Sequence, residues 1–563
     1  MTIAVRLLIT ALTFAGNAAL ADPLSEAQCA QLAGLKTPAV SIGLPTQGAV
    51  ITAAQWKPAS GSGTTAIADY CLVSGSIMPI DSTAPNIEWQ IALPKSWNSK
   101  TVMLGGGGFD GTIPNVAGNF QMTPADSATP LARGYAVFGS DSGHQAQTPA
   151  PAASVSNEDA AFFSNAEAYR NYIGDALKKT HDAALMVINT AYGHGPTKSY
   201  FFGGSKGGQE ALTVAGRWPA DWDGIVALYP ARNYTLTMLG ALVVSQALAA
   251  PDAYLNTAKR GVLYRAALAA CDELDGLKDG LISDVRGCYS TFNPSTASLH
   301  GASLRCPHGI DAGDTCLSDA QIGALKKAGS PFAFGFLTGG GQRSFPGYNI
   351  LTSDLGNSSK SPMEAFIMRL TIGSTPPKFP TAAGNSYAVT VSDYFVRLAV
   401  AKDTSFDQLT LNLANPGPLA ARLNELYSLD QVDGDLTPFA KRGGKLLILQ
   451  GSDDMLISPR STEAYVQGLR KKMGAGGVDS FLRYYEVPGY GHSLSTIFSA
   501  VWDQLPAIEN WVEKGVDPAR SQIVTDTVGV PGRTRPLCLY PTWPKYRGSG
   551  DANQAASFTC VDR

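Results

Sequence analysis

The sequence predicts an α/β fold: a mostly parallel sheet flanked by helices and interrupted by one large insertion. Three observations predict it. Short β-rich runs alternate with helical stretches over residues 85–230, the order expected of βαβ units. Strand-like runs then return only at Lys445 to Gln450 and Phe481 to Val487. The length of 563 residues also exceeds several average domains, which asks for a large core plus a sizeable insertion and excludes a single helix bundle.

The first 21 residues hold Arg6, a mostly apolar run from Leu7 to Leu20 and the small-residue pattern Ala19-Leu20-Ala21 before Asp22. Residues 1–21 therefore read as a signal peptide that is removed, leaving a secreted or periplasmic protein. The apolar run is shorter than the ~20 residues of a spanning helix and is broken by Gly16 and Asn17, so no membrane contact is expected after cleavage. With 43 basic and 46 acidic residues and only 16% charged overall, there is no field to steer nucleic acid or an anionic membrane, which leaves a small-molecule or carbohydrate-linked partner.

All eight cysteines follow the cleavage site, and an even count in an exported chain points to disulfides. Eight cysteines allow 105 pairings. The shortest loops give Cys29 with Cys71, Cys271 with Cys288, Cys306 with Cys316, and Cys538 with Cys560.

The alternation of Ile87 to Leu93 opens the sheet, followed by strands at Thr101 to Leu104, Tyr135 to Phe138 and Ser199 to Phe202. A long helical pattern spans Ala166 to Ala191, and Ile508 to Lys514 reads as a closing helix. Residues 22–231 and 439–563 are thus assigned to the sheet domain. Residues 232–438, rich in Gly, Pro, Ser and Thr and holding four of the cysteines, are assigned to an inserted lid domain.

Gly203-Gly204-Ser205-Lys206-Gly207 sits between a strand and a helix-compatible run. There G-x-S-x-G marks a turn so tight that only small residues fit two positions either side of the serine. This gives the sharper expectation of an α/β-hydrolase fold with a large inserted lid domain, in which acid and histidine follow the nucleophile Ser205 in that order. Of the six histidines only His492 follows the insertion, in the loop Gly489-Tyr490-Gly491-His492 after a strand. His181, His194, His300 and His308 have structural readings, and His144, after the strand ending at Phe138, borders the site. The acid should end the preceding strand, where Asp453 and Asp454 both qualify; the other one is read as the N-cap of a helix near Ser461 to Leu469.

Donors for a tetrahedral oxyanion can come from Gly105-Gly106-Gly107-Gly108 and from the amide of Lys206. The Lys206 side chain, facing either the acyl pocket or solvent, is given no catalytic role. Asp272, Asp275 and Asp279 crowd into D-x-x-D-G-x-x-D-G, where a hard cation would relieve their repulsion or a solvated acidic turn would do without one.

Four stretches resemble the tannase and feruloyl esterase family, which includes the bacterial mono(2-hydroxyethyl) terephthalate hydrolases. They are Ser199-Tyr200-Phe201-Phe202-Gly203-Gly204-Ser205-Lys206-Gly207-Gly208, Asp223-Gly224-Ile225-Val226-Ala227, Cys271-Asp272-Glu273-Leu274-Asp275-Gly276 and Arg533-Thr534-Arg535-Pro536-Leu537-Cys538. The resemblance implies a serine carboxylic-ester hydrolase acting on esters of aromatic acids, of feruloyl esterase, tannase or terephthalate-monoester type, through an acyl-enzyme. It implies Asp454 as the acid, Gly108 as oxyanion donor, and a structural calcium held by Asp272, Asp275, Asp279 and the carbonyls of Leu277 and Leu281, with no organic cofactor. Relatives usually carry one cysteine just before the nucleophile and one just after the histidine; here these are Gly204 and Ser493. The rival readings are a non-catalytic ligand-binding protein on a hydrolase fold and an amidase with the same residues.

Overall fold

In the computed structural model the described residues are 23–146, 156, 158–336, 344–357, 361–430 and 435–562, so the expected signal peptide, residues 1–21, lies outside them. Ten strands form the main sheet: β1 (Lys36–Thr37), β2 (Gly48–Lys57), β3 (Tyr70–Met78), β4 (Ile87–Pro94), β5 (Lys100–Leu104), β6 (Ala136–Ser140), β7 (Lys198–Gly204), β8 (Gly224–Leu228), β9 (Lys445–Gly451) and β10 (Leu482–Val487). Their order is β1-β2-β3-β4-β6-β5-β7-β8-β9-β10. Pairing is antiparallel from β1 through β4 to β6 and parallel from β6 to β10. This is an α/β-hydrolase sheet.

The parallel strands read as continuous apolar runs because both faces are covered. Successive side chains go to opposite faces. Leu446 and Ile448 of β9 pack in one core with helices α1 (Ala176–Tyr192), α2 (Lys206–Arg217) and α5 (Pro459–Met473). Leu447 and Leu449 pack in another core with α6 (Gln504–Lys514). The single helix expected over Ala166 to Ala191 is broken: Ala166–Arg170 and α1 are separated at Gly174, which departs from helical geometry.

Residues 229–444 leave the sheet after β8 and return as its parallel neighbour β9. Much of this segment is helical, including α3 (Tyr234–Ala249) and α4 (Thr257–Cys271). Sequence periodicity hides α3 because almost every residue in it is buried, and a helix covered all round has no polar stripe. Each fully buried Leu or Val in it, such as Leu239, Leu242 and Val243, contributes about 1.5–3 kcal/mol. At the start of α3 the buried Asp430 carboxylate accepts the N–H groups of Tyr234 and Thr235 at 2.7 and 2.5 Å, satisfying two amides that the helix itself leaves open.

The four cysteine pairs of shortest loop are the four disulfides formed. Cys29–Cys71 ties the N-terminal helix Glu26–Gln31 to β3 across 42 residues, a closure worth about 4 kcal/mol in the chain-entropy account. Among the described residues no helix is long and apolar enough to cross a membrane.

Candidate active site

Ser205 stands between β7 and α2 with φ 60° and ψ −118°, a conformation that costs a non-glycine residue about 1–3 kcal/mol. The surroundings leave no other path. A Cβ on Gly203 would lie 2.1 Å from the Gly207 carbonyl oxygen, and one on Gly207 would lie 2.6 Å from that of Gly106. The Ser205 N–H bonds to the Leu228 carbonyl and the Ala231 N–H to the Ser205 carbonyl, both at 2.9 Å, so β8 and the turn after it fix the serine from both sides.

His492 Nε2 lies 2.9 Å from Ser205 Oγ, and His492 Nδ1 lies 2.8 Å from Asp454 Oδ2. Asp454 is fully buried; its Oδ1 accepts the N–H groups of Leu456 and Ile457 at 2.9 and 2.8 Å, and Oδ2 accepts Gln450 Nε2 at 3.0 Å. An imidazole so placed can take the hydroxyl proton while the carboxylate holds its tautomer and stabilises the imidazolium.

Asp453 points elsewhere. Its Oδ1 accepts the Ser452 hydroxyl at 2.7 Å, and burial pushes its carboxyl up to about 7. Neither aspartate caps the following helix: the cap position of α5 is Ser458, with no side-chain cap, and both carboxylates are engaged before it, Asp453 by Ser452 and Asp454 by Leu456, Ile457 and His492.

The Ser205 hydroxyl opens into a cavity of about 430 Å³. Gly105 to Gly108 line it beside the serine, and Lys206 opens α2, so its N–H is one that no carbonyl within the helix reaches. Phe120, Phe202 and Tyr229 wall the cavity from the sheet side, and Phe366, Leu370 and Tyr387 from the segment between β8 and β9. Phe120 and Phe202 stack at 4.1 Å.

Lys206 faces neither the acyl pocket nor solvent: its side chain is 2% exposed. It pairs with Glu210 at 2.9 Å and Asp110 at 3.3 Å. Burial opposes its charge, yet the two carboxylates outweigh burial and hold it above the ordinary lysine value. Burial drives Asp110 well above the carboxylate range, Lys206 pulls it back, and Glu210 pushes it up again. This cluster escaped sequence reasoning, although an i,i+4 Lys–Glu pair directly after the nucleophile was there to be found.

At Gly204 and Ser493, where the resemblance leads one to expect cysteines, this chain has no thiol. A Cβ on Gly204 would meet the Tyr229 ring at 2.9 Å, and the same ring lies edge-on to His492 at 4.9 Å. An aromatic side chain fills the space between elbow and histidine loop.

The acidic turn closes α4. Asp272 and Asp275 are buried; Asp272 Oδ1 accepts the Gly280 N–H at 3.1 Å and Asp275 Oδ1 the Leu277 N–H at 3.0 Å. Asp279 accepts the Leu281 N–H at 3.2 Å and pairs with Arg535, with Arg533 at 3.8 Å. Among the described residues only His181, Asp182 and Asp221 bring three such ligand atoms within 4.8 Å of one another, and there Lys178 already bonds both aspartates at 2.8 and 2.9 Å.

His144 packs instead of lining the cavity. It is 4% exposed and stacks on Phe162 at 4.0 Å, and burial pushes its imidazole down to about 3.

A match to the tannase and feruloyl esterase family runs over residues 71–561. An uncharacterized esterase of Agrobacterium fabrum is 36% identical, over 95% of this chain and 93% of its own. The mono(2-hydroxyethyl) terephthalate hydrolase of Piscinibacter sakaiensis is 29% identical, over 92% and 89%. The crystal structure of feruloyl esterase B from Aspergillus oryzae superposes with a TM-score of 0.72 at 23% identity, covering 95% of this chain and 99% of that one.

The buried, neutral His144 has a consequence for acid stability. An unfolded imidazole binds a proton below about 6.5, whereas this one does so only near 3. Between those values the unfolded chain holds the extra proton, so stability falls as the pH falls. Denaturant unfolding at pH 7 and pH 5 should show a drop that His144→Phe reduces by about 2 kcal/mol; equal drops in both proteins would mean that His144 is charged when folded.

Proposed function

The chain belongs to the tannase and feruloyl esterase family and is a carboxylic-ester hydrolase; from that premise we propose that it cleaves esters of aromatic acids by acyl transfer through Ser205. The observation that carries the reading is the line from Ser205 Oγ through His492 to Asp454, 2.9 and 2.8 Å long, opening into the aromatic-walled cavity.

Ser205 Oγ attacks the ester carbonyl carbon as its proton passes to His492 Nε2. Asp454, already holding two backbone amides, keeps Nδ1 protonated and stabilises the imidazolium. The oxyanion is held by the amides of Gly108 and Lys206. Collapse expels the alcohol, which takes the proton from His492. Water, deprotonated by His492, then attacks the acyl-enzyme and releases the aromatic acid. The segment 232–438 acts as the lid that shapes the acyl pocket, supplying Phe366, Leu370 and Tyr387 to its wall. Arg369, also on that wall, disfavours cationic substrates. The four disulfides support export to an oxidising compartment after removal of residues 1–21.

We also propose a structural calcium at the acidic turn, held by Asp272, Asp275 and Asp279 and the carbonyls of Leu277 and Leu281. What supports it is the donor chemistry. All five groups offer oxygen, and the buried Asp272 and Asp275 carboxylates have backbone amides as their hydrogen-bond donors. A hard divalent cation suits that set, and it would compete with Arg535 for Asp279. Its role is to fasten the turn between α4 and the C-terminal segment.

Ser205→Ala should abolish hydrolysis across a panel of methyl gallate, methyl ferulate, a terephthalate monoester and short aryl esters, at an unchanged melting temperature. Turnover within tenfold of wild type would sink the assignment. On the same panel, wild type should favour the aromatic acyl groups over acetyl; preference for acetyl esters, or for matched amides, would overturn the substrate class. For the metal, chelation should lower the melting temperature and added calcium, but not magnesium, should restore it; an unchanged melting temperature with no calcium found by elemental analysis would reject the site.

A further inference from the structure

The loop bearing Gly108 and the helix following Ser205 touch backbone to backbone. A Cβ on Gly105 would lie 2.9 Å from Gly207 Cα, so no side chain can space the two apart. What fixes their separation lies just beneath. Glu210 Oε2 accepts the Gly106 N–H at 3.0 Å, and its other oxygen accepts Lys206 Nζ at 2.9 Å and the Ser142 hydroxyl at 3.2 Å. Lys206 Nζ also reaches Asp110 Oδ2 at 3.3 Å. Gly106 and Asp110 flank Gly108 on the loop; Lys206 and Glu210 occupy successive turns of α2.

Above the ammonium, the Tyr172 ring lies 4.4 Å from Nζ, and the Tyr172 hydroxyl donates to the Gly108 carbonyl at 3.3 Å. Lys206, Glu210 and Asp110 are each at most 2% exposed. An ammonium buried between Glu210 and Asp110 is held more strongly than on a surface, and removing one partner leaves the others uncompensated.

We propose that Lys206, through Glu210 and Asp110, is a positioning residue that clamps the glycine loop onto α2 and so sets the spacing of the two amides that bind the oxyanion. This rests on the reading of Ser205 as nucleophile and gives a role to a side chain that the reaction itself never touches. Because the oxyanion exists only in the transition state, loosening the clamp lowers kcat and leaves substrate binding nearly alone.

The test uses the full-length enzyme and Lys206→Met, Lys206→Arg, Glu210→Gln and the Lys206→Met/Glu210→Gln double variant. It measures kcat, KM, the rate of Ser205 labelling by a fluorophosphonate, and melting temperature. Lys206→Met should lower kcat and the labelling rate together by about 10- to 100-fold, with KM within about twofold. Lys206→Arg should recover part of the loss. The double variant should fall no further than the worse single one, since the pair acts as a unit. Wild-type kcat and labelling rate in Lys206→Met would overturn the proposal, as would a loss that only tracks the unfolded fraction; if Lys206→Met does not fold, the isosteric Glu210→Gln carries the same expectation. Failure of wild type itself to be labelled would instead strike the nucleophile assignment.

Discussion

The strand-to-helix turn at Ser205 is the constraint on which the rest of the molecule depends. Its backbone sits at φ 60°, a conformation a serine does not choose, and several neighbours pay for it. The glycine at 203 faces the Gly207 carbonyl, and β8 supplies a carbonyl to the Ser205 amide. With the turn closed, the hydroxyl lies in the cavity, 2.9 Å from His492 Nε2. A more relaxed backbone would turn the hydroxyl away from His492 and misalign the first amide of α2, so hydrolase chemistry and sheet architecture are tied at this residue.

Around that turn the molecule spends buried charge on placement. Asp454 is held by two backbone amides before it meets His492. Lys206, Glu210 and Asp110 occupy the volume under the glycine loop, and Asp430 seats the first helix of the inserted segment. Buried ionic groups of this kind contribute little net stability compared with apolar packing, but they define one arrangement sharply. The space between the elbow and the histidine loop is treated differently: the Tyr229 ring fills it, and there Gly204 is the residue that leaves it room.

Much of this was legible in the sequence, for physical reasons. The parallel strands are apolar on both faces and cannot be mistaken for solvent-facing runs, and G-x-S-x-G acquires meaning from the strand before it. His492 was singled out by position alone. Composition could not choose between Asp453 and Asp454, because both follow the same strand; the choice is made by which carboxylate faces the histidine loop, a matter of tertiary packing. The N-cap reading failed for both because the helix begins only after Ser458, and each carboxylate is engaged before it, Asp453 by Ser452 and Asp454 by Leu456, Ile457 and His492. The Ala166 to Ala191 pattern concealed a break at Gly174, where periodicity survives a local loss of helical geometry. α3 was hidden by its own burial, and the Lys206 cluster because its loop partners stand nearly a hundred positions away in the chain.

The central claim is that Ser205 carries the acyl group between two half-reactions. It is tested most directly by quenching the enzyme in acid within the first turnover of an activated aromatic ester and mapping the adduct by mass spectrometry of the digested protein. The account predicts one acyl group per chain, on the peptide containing Ser205 and absent when His492 is replaced by alanine. An adduct on another residue, or rapid turnover with no covalent species at any quench time, would contradict it.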